Sequence, residues 1–240
     1  MRPDITSEFA MKVRIRFTKS GALVYIGHLD VMRYFQKLFR RAQIPVKYSE
    51  GFSPHQILSF SPPLPLGMES SGEYADVELT EKVDTKTALS CLSSESVKEI
   101  RILSFKELPE KCENAMSAVR AARYEVICEN AGLIKDPEKA VSDLMSKDDI
   151  TVIKRSKKSE KEINIRPLIF ELKWDNDPAI FEMLISSGSI DNIKPELVMN
   201  ALAENEGIPE ELKFSAKRID QYTYLEENLI SLDDIGKEII

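Results

Sequence analysis

The chain has little that could staple it, anchor it in a membrane or hold a metal. Its three cysteines, Cys91, Cys112 and Cys128, are odd in number and widely spaced. Such a set gives no disulfide framework, no zinc knuckle and no compact iron–sulfur motif. They read as reduced structural thiols. No apolar run approaches the ~20 residues that span a bilayer. Met1–Ala10 contains Asp4 and Glu8 and lacks the apolar stretch of a secretory signal, and Met11 leads straight into a strand pattern. Met1–Ala10 is therefore read as an extension outside the fold. These absences point to a cytoplasmic protein without a membrane segment or cofactor. Histidine is scarcer still: there are only His28 and His55.

What is present suits a globular protein: 42% of the 240 residues are hydrophobic and 30% charged. A chain of this size buries a core without crosslinks. The net charge of −7 argues against a nucleic-acid partner only if it is spread evenly, and it is not. Between Met11 and Phe60 stand nine cations (Lys12, Arg14, Arg16, Lys19, Arg33, Lys37, Arg40, Arg41 and Lys47) against Asp30 and Glu50. Both histidines lie in the same stretch. This asymmetry predicts an anionic partner at one end of the molecule.

Periodicity gives the element order. Val13, Ile15 and Phe17 alternate with Arg14 and Arg16, a strand with one basic face. Leu29, Met32, Phe35, Leu38, Phe39 and Ala42 form the apolar stripe of a helix, with Arg33, Lys37, Arg40 and Arg41 on its other side. Pro45 ends it. Short strands are expected at Val46–Ser49, Tyr74–Leu79 and Ile100–Leu108, and a helix at Thr85–Leu92. The proline-rich stretch Ser59–Gly72 reads as loop. Strand, helix, strand, strand, helix, strand is the split β-α-β, or ferredoxin-like, order. The second part repeats it: strands at Arg123–Glu129, Ile150–Arg155, Ile163–Trp174 and Phe214–Tyr224, helices at Pro137–Ser146 and Pro195–Glu204, and Pro178–Ser186 open between the two. The expectation is an α+β protein of two ferredoxin-like halves in tandem. Its domains are 11–108 and 116–225, joined by a linker from Pro109 and followed by an acidic, poorly ordered tail, 226–240.

The densest motifs are Gly27-His28-Leu29-Asp30 with Arg33, the stretch Arg40–His55 containing Tyr48-Ser49-Glu50-Gly51-Phe52-Ser53-Pro54-His55, and the loop Phe60–Gly67 ending Pro65-Leu66-Gly67. With Ile165-Arg166-Pro167, Gly188–Pro195 and Lys217–Asp220, they make the chain resemble the radical-SAM-linked proteins over nearly its whole length after Met11. Gly27 stands where serine is commoner in that family, and Gln56 where proline is usual. The family is a domain of unknown function encoded beside, or fused to, radical S-adenosylmethionine proteins, so the resemblance supplies no catalytic residue. It implies a radical S-adenosylmethionine enzyme as partner. A radical enzyme holds its cluster with three closely spaced cysteines, which this chain lacks. The resemblance therefore implies an accessory or substrate-presenting role.

The candidate binding residues follow from chemistry. Arg14, Arg16, Lys19, Arg33, Lys37, Arg40 and Arg41 are candidates for an anion surface, because guanidinium forks fit phosphates. A solvated helix face, or ion pairs with the acidic remainder of the chain, explain the same pattern. Tyr48 and Phe52, with Tyr25, are candidates for base stacking, or else core. His28 is a candidate ligand contact or general acid/base, or a capping histidine, because a free imidazole changes charge near neutral pH; His55 is the second candidate histidine. His28, His55 and Asp30 would form a metal site only if they converge. Arg166 and Lys194, from the later motifs, are candidates for a cleft between the two halves, with a strand surface the alternative for Arg166. Three functions remain open: an accessory protein that binds structured RNA, a metal-free ribonuclease using His28, and a protein-interaction module docking the radical enzyme.

Overall fold

The alternating Val13, Ile15 and Phe17 form the middle strand of the first sheet. The structure is a computed structural model and describes residues 10–155, 160–176, 179–188 and 191–240. Met1 to Phe9 of the expected extension lie outside the described residues. The chain divides into two compact units: the stretch up to Val119 together with Tyr222–Ile240, and Arg120–Gln221.

In the first unit the order is β1 (Met11–Lys19), α1 (His28–Arg41), β2 (Leu58–Phe60), β3 (Glu69–Leu79), α2 (Thr85–Glu95), β4 (Ile102–Glu107) and the short α3 (Ala115–Ala118). β1 pairs antiparallel with β3 on one side and β4 on the other, and β2 pairs with β3. Val13, Ile15 and Phe17 bury one face of β1 against α1, whose Val31, Phe35, Leu38 and Phe39 are also buried. Phe35 packs on Phe17 and Phe60 at ring-centroid distances of 4.5 and 5.4 Å. Burying each such ring contributes about 1.5–3 kcal/mol. Leu29 leaves the predicted stripe: it sits in the first turn and is two-thirds exposed.

Two expectations change here. Val46–Ser49 is not a strand; Val46 and Tyr48 make single bridges, to Leu79 and Gln56. The strand instead falls at Leu58–Phe60, at the start of the stretch read as loop. The apolar pair Leu58 and Phe60 is long enough to sit against β3 before Pro62 removes the next N–H.

The acidic tail is also folded. Asn228–Ser231 forms a strand against Tyr222–Leu225, and a 3-10 turn follows at Leu232–Ile235. Leu232 and Ile239 are buried. The Thr85 N–H donates to Ile239 O at 3.0 Å, and the Ile239 N–H returns to Thr85 Oγ1 at 2.9 Å. Composition marked the tail as solvated, but two well-spaced apolar residues and the salt bridge Lys106–Asp233 at 2.8 Å dock it.

The second unit contains β5 (Ala121–Cys128), α4 (Pro137–Met145), β6 (Thr151–Arg155), β7 (Glu160–Asn164), β8 (Ile169–Asp175), β9 (Ile180–Ser186), α5 (Pro195–Asn205) and β10 (Phe214–Leu225), which crosses the unit boundary. β5, β9 and β8 pair in that order, antiparallel, with β10 beside β5. The open element Pro178–Ser186 is a strand from Ile180; Pro178 lies outside the described residues. The predicted long strand Ile163–Trp174 is broken by a 3-10 turn at Arg166–Leu168, where Pro167 cannot donate to a ladder. Its first part pairs with β6 as a separate hairpin. Val126, Phe181, Met183, Val198, Met199 and Leu202 are buried in this unit.

Candidate functional site

Two of the first unit's motifs meet near the N-terminus of α1. His28 is the first residue of the helix, and its ring stands edge-on to Phe60 with centroids 5.7 Å apart. Around it lie Phe17, Lys19, Val31, Ser61, Pro63, Leu64, Glu73 and Tyr74. The loop that follows Phe60 is pinned by a bond from Gly67 N–H to Val24 O at 3.0 Å. Gly67 has φ +83°, a left-handed backbone that suits glycine. His28 and the start of the proline-rich loop, Phe60, Ser61, Pro63 and Leu64, thus close on one pocket.

The pocket is small. Its cavity of about 20 Å³ matches about one water. Partial burial pushes the His28 pKa down; Glu73 works against that shift and Lys19 adds to it. Lys19 is itself buried and donates from Nζ to Ile26 O at 3.0 Å. At the surface of the same motifs Tyr25, Leu29 and Leu66 are each about two-thirds to three-quarters exposed.

The basic residues divide by environment. Arg14 is fully buried: its Nε and Nη2 bond Asp76 Oδ1 and Oδ2 at 2.7 and 2.8 Å, and Nη2 also bonds Glu113 O at 3.1 Å. Burial opposes its charge, but the bond and field of Asp76 prevail and raise its pKa. Arg16 is half-buried and bonds Ser71 O at 3.2 Å. The expected basic strand face is therefore interior. Tyr74, Ala115, Ala118, Val119 and Leu232 form a second small core in this unit, with Arg14 bonded into its surroundings through Glu113 and Leu232. Period-two alternation marks the two faces of a strand but not what later segments lay over them.

On α1, Arg33, Lys37, Arg40 and Arg41 are exposed, as the stripe predicted. Arg41 is engaged by Glu95 through Oε2 at 3.2 Å and the carbonyl at 3.0 Å. Arg33 meets Asp30 at 3.3 Å, an exposed pair of little strength. Arg40 bonds Gln36 O at 3.2 Å. Arg33, Lys37 and Arg40, at spacings of four and three, leave one cationic face toward solvent.

Tyr48–Gln56 forms a hairpin-like excursion. Ser49 N–H donates to His55 O at 2.8 Å and Ile57 N–H to Lys47 O at 2.9 Å. At its tip Gly51 has φ +107°, and the Phe52 side chain is fully exposed. His55 is exposed, with Nδ1 2.9 Å from Ser49 Oγ. Asp30 is engaged by Arg33 and His28 by Phe60, so the three do not form the metal arrangement considered from sequence. Among the described residues no three His, Cys, Asp or Glu side chains group as metal ligands.

In the second unit, Arg166 donates from Nε to Met145 O at 3.2 Å, satisfying a carbonyl at the C-terminus of α4. Lys194 is exposed at the start of α5 and lies 4.0 Å from Glu196. Sequence reasoning passed over Glu73 and Asp76. Their signal was present: carboxylates inside a strand of otherwise buried residues require partners.

A family model described as an uncharacterized protein conserved in bacteria (DUF2344) matches residues 12–195. The chain belongs to the DUF2344 family. No curated protein matches it. The DUF2344 match takes in every candidate residue from Arg14 to Lys194. The return segment from Tyr222, which brings Leu232 beside Arg14, lies beyond it. Among the described residues of this DUF2344 chain, no helix is long and apolar enough to cross a membrane.

Proposed function

We propose that this protein is a non-catalytic accessory factor that binds an anionic substrate, structured RNA first, through the first unit, and presents it to a radical S-adenosylmethionine enzyme. The observation that carries the proposal is the exposed row Arg33, Lys37 and Arg40 on α1, a helix whose sequence holds a single acidic residue, Asp30. Phe52, fully exposed on its hairpin, adds a stacking platform, with Tyr48 beside it in sequence and half-exposed. The enzyme partner rests on the resemblance of the motifs to radical-SAM-linked proteins. The strand order β4-β1-β3-β2, and β10-β5-β9-β8 with an inserted β6–β7 hairpin, supports reading both units as ferredoxin-like.

The surface differs from the one the sequence suggested. Arg14 and Lys19 belong to the interior of the unit, Arg16 is half-buried and bonded to Ser71 O, and Arg41 is engaged by Glu95. A structured RNA therefore meets a helix face and a hairpin tip, not an open sheet. Contacts of this kind go chiefly to phosphates and shape. The test is retention of RNA by the protein purified from its own cells, compared with an Arg33→Ala/Arg40→Ala variant. Defined RNA bound by the first and lost from the second supports the proposal, and no RNA on either contradicts it.

A second reading is favoured by Tyr25, Leu29 and Leu66. These exposed apolar residues flank the His28 motifs and suit a protein-docking surface for the radical enzyme. The ribonuclease reading fares worse, since the space at His28 takes about one water. RNA cleavage by the wild type that is lost in His28→Ala would revive it.

A further inference from the structure

A cavity of about 650 Å³ in the second unit is lined by none of the residues of the basic helix. Its volume lies in the range of specific binding sites. One wall is Thr151, Val152, Ile153 and Lys154, four consecutive residues of β6. Side chains alternate along a strand, so a wall of four consecutive residues brings main chain as well as side chains to the cavity. The opposite wall is Glu196, Leu197, Asn200 and Glu204, which fall on one face of α5.

β6 has an edge that no strand of the described residues covers. Among the described residues β6 pairs only with β7. The bond from Ile165 N–H to Ile150 O sets the alternation: Ile150, Val152 and Lys154 turn their main chain toward β7. Thr151 and Ile153, which line the cavity, then turn their N–H and C=O groups away from β7. Main-chain groups of this kind are templates for an added strand.

The charges select the occupant. Lys154 Nζ is bound to Asn192 O at 2.7 Å, and Lys194 lies 4.0 Å from Glu196, both at the start of α5. Glu162, opposite Ile153 in the hairpin, and Glu204, two turns along the helix, have no cation within 4.0 Å among the described residues. We infer that this trough binds an extended peptide segment as an added strand on β6, with a basic side chain directed at Glu204 and Glu162. This inference is independent of the RNA reading.

The test uses the full chain as bait for a displayed library of random heptapeptides, followed by synthesis of an enriched sequence as an acetylated amide. The inference predicts sequences with Lys or Arg at one parity. Binding is expected to slow hydrogen exchange of the Thr151 and Ile153 amides by about tenfold or more, and to leave Val152 and Lys154 unchanged. Asn200→Arg, which fills the trough from α5, should weaken binding by about tenfold, and Glu204→Gln by a smaller factor. If Asn200→Arg does not fold, peptides N-methylated on alternate residues replace it: one parity should lose binding and the other keep it. Enrichment of no sequence, of acidic sequences, or of peptides insensitive to these changes overturns the inference.

Discussion

Arg14 on β1 and Asp76 on β3 stand opposite each other and share two hydrogen bonds, at 2.7 and 2.8 Å, with almost no contact with water. Asp76 also accepts from Ala115 N–H at 2.7 Å. The pair therefore ties the sheet to the segment that closes its second face. Arg14→Ala leaves a buried carboxylate without its partner and is expected to cost about 3–5 kcal/mol. Urea denaturation checks this. A loss below about 1 kcal/mol would mean that Arg14 is solvated.

The cations of α1 should behave in the opposite way. Replacing Arg33, Lys37 and Arg40 by alanine should move stability by only about 0.5 kcal/mol per site, because the three are exposed and weakly paired. RNA affinity, by contrast, should fall. The same denaturation experiment thus separates interior arginines from surface ones in a chain whose sequence shows them side by side.

Phe52→Ala is expected to leave the melting temperature unchanged, since the ring is fully exposed. It should weaken RNA binding by about 1–3 kcal/mol if a base stacks on it. Fluorescence anisotropy with a labelled RNA hairpin measures the change. Unchanged affinity would remove the hairpin tip from the surface.

His28 gives a pH dependence. Its pKa is pushed below the usual 6.5 by burial, so below that value the unfolded chain binds the proton more readily than the folded one. The stability that His28 contributes is fully present above about pH 6.5 and is lost as pH falls through the folded value. Wild type should lose more stability between neutral and mildly acid pH than His28→Gln. Equal slopes for the two would contradict the partial burial.

The return segment should matter more than its composition suggests. Leu232→Ala and Ile239→Ala each remove a buried side chain and should cost about 2–5 kcal/mol. Changes such as Glu226→Gln, at an exposed turn, should be near neutral.

Helix α1 and most strands were legible because one buried face imposes its period on the sequence. Phe35, Leu38 and Phe39 could be placed before any coordinates. The fate of Arg14 and Arg16 was not, because what covers that face comes from residues 113–119 and 231–232, about a hundred and about two hundred positions away. Local alternation carries no information about such partners. The convergence of His28 with Phe60 and Glu73 was hidden for the same reason. Loop proline and glycine marked where the chain turns, not where it returns. The β6–β7 hairpin was obscured by apolar alternation running through Pro167, which only the missing N–H interrupts.

The most direct measurement is the affinity of the full chain for a structured RNA hairpin as a function of salt, for wild type and for the Arg33→Ala/Lys37→Ala/Arg40→Ala variant. Release of counterions from about three phosphates predicts a wild-type slope of log K against log salt near −2 to −3. The variant should bind more weakly with a slope nearer zero. Binding that is absent, independent of salt, or equal in the two proteins would contradict an RNA surface on α1.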